Sequence, residues 1–289
     1  MLQSIILKVI AFPLLLGVII ALASYRFERQ KNLVLAFLAP LFACIIILVL
    51  DGFPAFPPVR AAHKFPYILF AGSLFFAFFA WRSPRLNIIY SSLAFVLMIV
   101  LPIWWMGKSI LVNNGQKATV VMILVLLTVA GAVLYRYFAV AKAKPLPNVL
   151  PQALFATSIA GALIAIMGGY MGMLMFNTAL AVMFGGYLFI SYVRYLRGDA
   201  QAFALNGQGA LAMSWVAFIG VLVTGILAPK ASGLALVLAV FTLAAVPLAY
   251  IYAPVAARIP YMLRPLLLGV IVAVPALAGI LVAGMQFAG

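Results

Sequence analysis

Acidic residues are nearly missing from this chain. Glu28, Asp51 and Asp199 are the only three in 289 residues, set against 18 lysines and arginines. They lie far apart in the sequence, so no carboxylate cluster is expected to hold Mg²⁺, which removes enzymes that handle phosphates or prenyl diphosphates through that ion. Histidine occurs once, at His63, which rules out bis-histidine haem ligation. A Ser-His-acid centre would require His63 to meet an acid and a nucleophile within one loop. Catalysis is not expected, and no cofactor is called for. The single cysteine, Cys44, permits neither an intrachain disulfide nor a cysteine-based zinc site.

Charge of any sign is scarce, at 7% of residues against 68% hydrophobic. A soluble domain carries roughly 45–50% apolar residues, so the chain reads as an all-α polytopic membrane protein. The formal charge of +15 does not point to nucleic acid, because the basic residues are scattered through short loops rather than gathered on one soluble face. The first thirty residues lack the basic start and small-residue cleavage site of a signal peptide. Their apolar run is long enough to span, so a retained helix is expected.

A helix crossing about 30 Å of hydrocarbon needs about 20 apolar residues. Charged or Gly/Pro-rich breaks divide the chain into ten such segments, at 4–24, 33–50, 65–81, 86–106, 118–135, 149–167, 171–192, 208–228, 232–252 and 265–286. The uncharged stretch 149–192 is about twice one crossing, and "MGGYMG" from Met167 to Gly172 is the natural place to split it. Alternate loops on one side hold twelve lysines and arginines and those on the other hold six. By the positive-inside rule the first side is cytoplasmic, both termini face away from it, and the expected location is a bacterial inner (plasma) membrane. Short loops leave room for one domain only, a single transmembrane domain over 1–289. Ten spans permit two five-helix halves of inverted topology, although 1–145 and 146–289 share no convincing residue-level similarity.

The loop from Asp51 to Lys64 contains Pro54, Pro57 and Pro58, which hold it stiff and extended. The simpler reading has Asp51-Gly52 ending one helix and His63 opening the next in the headgroup layer. The sharper one makes Asp51 and His63 a proton-sensing or metal-touching pair at the mouth of a pore, although two ligands twelve residues apart are a weak metal signal.

Span six carries Ala153, Thr157, Gly161, Ala165 and Gly169 at steps of four, a strip of small side chains suited to close helix packing. Met167, Met171 and Met175 follow the same spacing. Thioethers suit Cu(I), but a break at Gly168-Gly169 would separate the sulfurs, and methionine is a common core filler. No metal site is expected, with this copper route as the lesser alternative.

Asn177 falls within span seven, where a buried amide must find a partner on a neighbouring helix or in a water-filled cavity. With Thr178, Ser214, Thr224, Ser91 and Ser92 it forms the candidate substrate path. No Asp, Glu or His lies inside a span to relay protons. The cytoplasmic basic face is represented by Arg136, Lys142, Arg194 and Arg197, placed to meet anionic lipid headgroups. The first functional expectation is a transporter or channel for a small neutral or anionic solute, not driven by a carboxylate relay. The alternative is a non-catalytic membrane subunit or assembly factor that docks partner proteins or anionic lipid. Expected partners are therefore anionic lipids at the cytoplasmic face, with protein subunits or a second copy of the chain also open and nucleic acid excluded.

Overall fold

The computed structural model describes residues 2–82, 88–141, 149–199, 201–205, 207–246 and 258–288, without side chains for residue 2, 88–94 or 131–141. All regular structure among them is helical. Helix α1 is Gln3–Arg26, and a 3-10 turn at Glu28–Gln30 leads to α2, Lys31–Asp51. Then come α3, Ala61–Arg82; α4, Ile88–Asn113; α5, Gly115–Ala141; α6, Leu150–Met167; and α7, Met171–Leu196. Helix α8 is Gly207–Leu227, α9 is Gly233–Ala244, and a 3-10 turn at Tyr261–Leu263 opens α10, Arg264–Ala288. Eight of these are long and apolar enough to cross a membrane, while α5 (through Ala130) and α9 count as shorter apolar helices among the described residues. The chain is thus a multi-pass, all-helical membrane protein.

The helices turn where backbone chemistry demands it. Gly52 takes φ 82° and returns its N–H to Leu48 at the end of α2. The split at Met167–Gly172 is realised in the same manner: Gly169 has φ 78°, and the Tyr170 N–H reaches back to the Ala165 carbonyl at 2.9 Å. A left-handed residue there favours glycine, because a Cβ would crowd the following carbonyl. In α1 the turn Leu7–Ala11 widens to π geometry just before Pro13, whose ring would otherwise strike the carbonyl four residues earlier.

Helix α8 is the axis of the fold. It packs against α2, α3, α4, α5, α6, α7 and α9, and from Gln208 to Ile226 every residue except Leu211 and Ser214 is buried. A helix apolar on all sides belongs in such a place. Helices α1 and α10 lie at the margins, α1 on α7 and α2, and α10 on α9 and α6.

Contacts between helix ends sort the turns into two groups. Lys117 on α5 donates to the Ile226 and Ala228 carbonyls, Lys230 N–H to Gly168, and Asp51 lies close enough to Tyr170 to act on its phenol. At the other end Arg194 covers the Tyr25 ring at 4.2 Å, Asn32 abuts Gly207, and Tyr195 stacks on Tyr261 at 4.1 Å. Successive helices therefore run in alternating directions.

Two glycines bring α1 and α7 into backbone contact. A Cβ on Gly17 would lie 1.9 Å from the Met183 carbonyl oxygen, and one on Gly186 would lie 2.5 Å from that of Leu14. This close crossing was not anticipated, because the strip of small residues on α6 drew the expectation of tight packing there.

Candidate functional site

Asn177 stands near the end of the second turn of α7 and is 0% exposed. Its Nδ2 donates to Thr224 Oγ1 of α8 at 2.9 Å, and the Thr224 hydroxyl donates to the Gly220 carbonyl at 2.9 Å. Glycines make the space: a Cβ on Gly220 would fall 2.5 Å from Asn177 Oδ1, and one on Gly161 of α6 would fall 3.2 Å from its Cγ. Three helices thus converge on one amide. Its Oδ1 has no hydrogen-bond partner, and neither has the buried hydroxyl of Ser158, which lies three residues before Gly161 and hence on the same face of α6. Most buried polar groups find a partner, so each of these two atoms calls for an explanation.

The other path candidates do not join them. Thr178 and Ser214 are half-buried, and Ser214 stands ten residues before Thr224, about 15 Å along α8 at roughly 1.5 Å per residue. Ser91 and Ser92 lie among residues whose side chains are outside the described set. Asn177 and Thr224 are the pair brought together, and Ser158 and Gly220 are members that the sequence reading missed. The signal for Gly220 was present, four residues before Thr224, but only the fold shows it opposite Asn177.

The core around this centre is tied by Trp215 of α8. Its indole N–H donates to the Met98 carbonyl on α4 at 2.9 Å, and its ring covers Gly72 of α3, where a Cβ would meet it at 2.5 Å. Met98 needs that donor because the residue four positions on is Pro102, which has no N–H to offer its carbonyl.

No protein family matches the chain, and neither curated proteins nor solved structures offer a similar one. The geometry is what remains to be read. Asp51 and His63 bracket the stiff loop at the ends of α2 and α3, and no ion pair joins them among the described residues. Burial, and then the Asp51 carboxylate, push the Tyr170 phenol above its ordinary value.

Along α6, Ala153, Thr157, Gly161 and Ala165 are buried, Thr157 donating to the Ala239 carbonyl of α9 at 3.3 Å. Gly169 is a correction to that strip. It lies beyond the helix, exposed, with nothing near its missing side chain, so it serves the turn and not the seam. The same turn separates Met167 on α6 from Met171 and Met175 on α7, with Met171 exposed. No group of three His, Cys, Asp or Glu residues suited to a metal occurs among the described residues.

Of the basic face, Arg194 pairs with Asp199 and stacks on Tyr25, while Arg197 is exposed. The side chain of Arg136 and all of Lys142 lie outside the described residues. The chemistry available at the Asn177 centre is neutral hydrogen bonding: an amide oxygen free to accept from a hydroxyl or N–H.

Proposed function

We propose that the chain is a transporter or channel of about ten spans that moves a small neutral or anionic solute across a membrane, without catalysis and without a carboxylate proton relay. The observation that carries this reading is the unpaired oxygen of Asn177, sealed at the meeting of α6, α7 and α8. Leaving such an atom without a partner in hydrocarbon is costly, and a solute that donates a hydrogen bond in passing would supply what the protein withholds. That chemistry favours solutes bearing hydroxyl or amide groups. The more basic loop set is assigned to the cytoplasm, with both termini outward in a bacterial inner membrane. The inverted five-plus-five arrangement is not carried into this proposal. It would map the α1–α7 contact onto α6 and α2, which make no extended contact.

The test is swelling of proteoliposomes in iso-osmotic small polyols, amides and organic anions, followed by light scattering. One class should enter faster than in protein-free vesicles, and Asn177→Leu should remove most of that gain. Equal rates with and without protein across the panel, or an unaffected N177L variant, would overturn the proposal. The second reading, a non-catalytic subunit that docks partners or anionic lipid, draws on exposed Arg197 and Arg258. Constant stoichiometric partners after gentle purification from the native membrane would favour it.

A further inference from the structure

A groove of about 350 Å³ opens on the flank of the bundle between α7 and α10, with α6 as its floor. Both helices pack on α6 or its neighbours but make no extended contact with one another. Small residues set its depth, among them Ala156 on α6 and Gly269 and Ala273 on α10, and Phe155, Leu188 and Leu277 form its walls. On α10 it runs from Pro265 to Ile280, about 22 Å at roughly 1.5 Å per residue. Half of a hydrocarbon core is about 15 Å, so the groove is long enough to take an acyl chain of one leaflet.

Its two ends differ. Polar lining is confined to Gln152 and Tyr192, at the end where α6 begins and α7 stops. There the Tyr192 hydroxyl donates to the Met262 carbonyl at 3.0 Å. Tyr195 and Tyr261 stack and exchange hydroxyl-to-carbonyl hydrogen bonds of 3.0 and 2.9 Å. This clasp holds the segment before α10 beside the end of α7. The charges carried by 194–199 and 258–264 are Arg194, Arg197, Arg258 and Arg264 against Asp199. Arg194 is neutralised by Asp199, while Arg197 and Arg258 are exposed. An apolar channel of acyl-chain length that ends under a cationic platform matches one kind of molecule.

We infer that the α6–α7–α10 groove binds the acyl chain of an anionic phospholipid, whose headgroup phosphate rests against Arg197 and Arg258. A second copy of the chain, or an apolar helix of another protein, would fill the groove but would leave the arginines unmatched. The inference stands apart from the Asn177 centre, and its readout is lipid retention, so its failure and that of the transport reading are distinguishable.

Purified protein is delipidated in mild detergent, offered phosphatidylglycerol or phosphatidylcholine with identical acyl chains, and weighed by native mass spectrometry. One phosphatidylglycerol should be retained in preference to phosphatidylcholine. The double variant R197Q/R258Q, which leaves the packing untouched, should lower that preference by about tenfold, since two arginines near an anionic surface contribute at least that much. Ala273→Phe fills the groove and should abolish retention of both lipids. Should that variant misfold, photo-crosslinking of the wild-type protein with a diazirine-tailed phosphatidylglycerol replaces it, and adducts at Leu277 and Leu188 are the expected result. Equal retention of the two lipids, an unchanged preference in R197Q/R258Q, crosslinks away from the groove, or a stable dimer that A273F dissociates would each overturn the inference.

Discussion

Replacing Trp215 by Phe removes the indole donor that serves the Met98 carbonyl while keeping an aromatic ring over Gly72. Interhelical hydrogen bonds in membrane proteins average about 0.6 kcal/mol and reach about 1.7. The orphaned carbonyl places this one toward the upper end, at about 1 kcal/mol or more. The single substitution cannot isolate that figure, because the smaller ring also loses packing against Phe76, whose centroid is 5.4 Å from that of Trp215. Pro102→Ala supplies the missing control. It restores an N–H four residues after Met98, so the helix can satisfy its own carbonyl. In the P102A background, W215F should still lose the packing but no longer the hydrogen bond, and its cost should fall by about 1 kcal/mol. Unfolding in mixed detergent and SDS, followed by far-ultraviolet circular dichroism, measures all four corners of the cycle. Additivity within about 0.3 kcal/mol would show that the carbonyl does not depend on Trp215, and the account of α4 and α8 given above would be wrong.

Gly17→Val should break the α1–α7 crossing, since its Cβ would lie 1.9 Å from the Met183 oxygen, and overpacking of about 1–3 kcal/mol or more should appear as loss of monodisperse protein. Gly115→Ala, with open space around it, should be neutral in the same assay. Gly169→Ala forces a Cβ into φ 78° and should cost about 1–2 kcal/mol by thermal unfolding, with Gly169→Asn milder. Lys117→Met uncaps the Ile226 and Ala228 carbonyls at the end of α8. A loss of about 0.5–1 kcal/mol is expected by the same unfolding measurement, largely recovered by Lys117→Arg.

Hydrophobic length was enough to read the all-helical membrane class, and local backbone rules were enough to place the turn between α6 and α7. Met167–Gly172 was legible because an uncharged run twice the crossing length must turn, and paired glycines are where a left-handed residue costs least. The strip on α6 was legible as far as Ala165 and failed at Gly169, because periodicity alone does not say where a helix stops. What stayed hidden depends on partners far away in sequence. Gly17 meets Met183, and Gly220 meets Asn177; neither pairing leaves a mark within a few residues of either partner. Trp215 and Met98 are an intermediate case. Pro102 announces an unserved carbonyl four residues before it, but which of the surrounding donors answers is a matter of tertiary packing.

The same distinction explains why Asn177 carries more weight than the histidine loop. At helix ends beside a loop, Asp51 and His63 can be solvated, so their presence requires no partner and predicts none. Inside the bundle, solvation is unavailable, and each polar atom is matched or remains a source of instability. Trp215, Thr157 and Thr224 are matched, each to a backbone carbonyl. Asn177 Oδ1 and Ser158 Oγ are not. In a core that elsewhere supplies a donor even for the carbonyl orphaned by Pro102, the unpaired Asn177 oxygen is the feature on which the proposed transport reading rests. On the proposed reading, a small hydroxylated solute bound at Asn177 should stabilise the folded chain by an amount that rises with the logarithm of its concentration above Kd, and thermal unfolding at increasing solute concentration measures it.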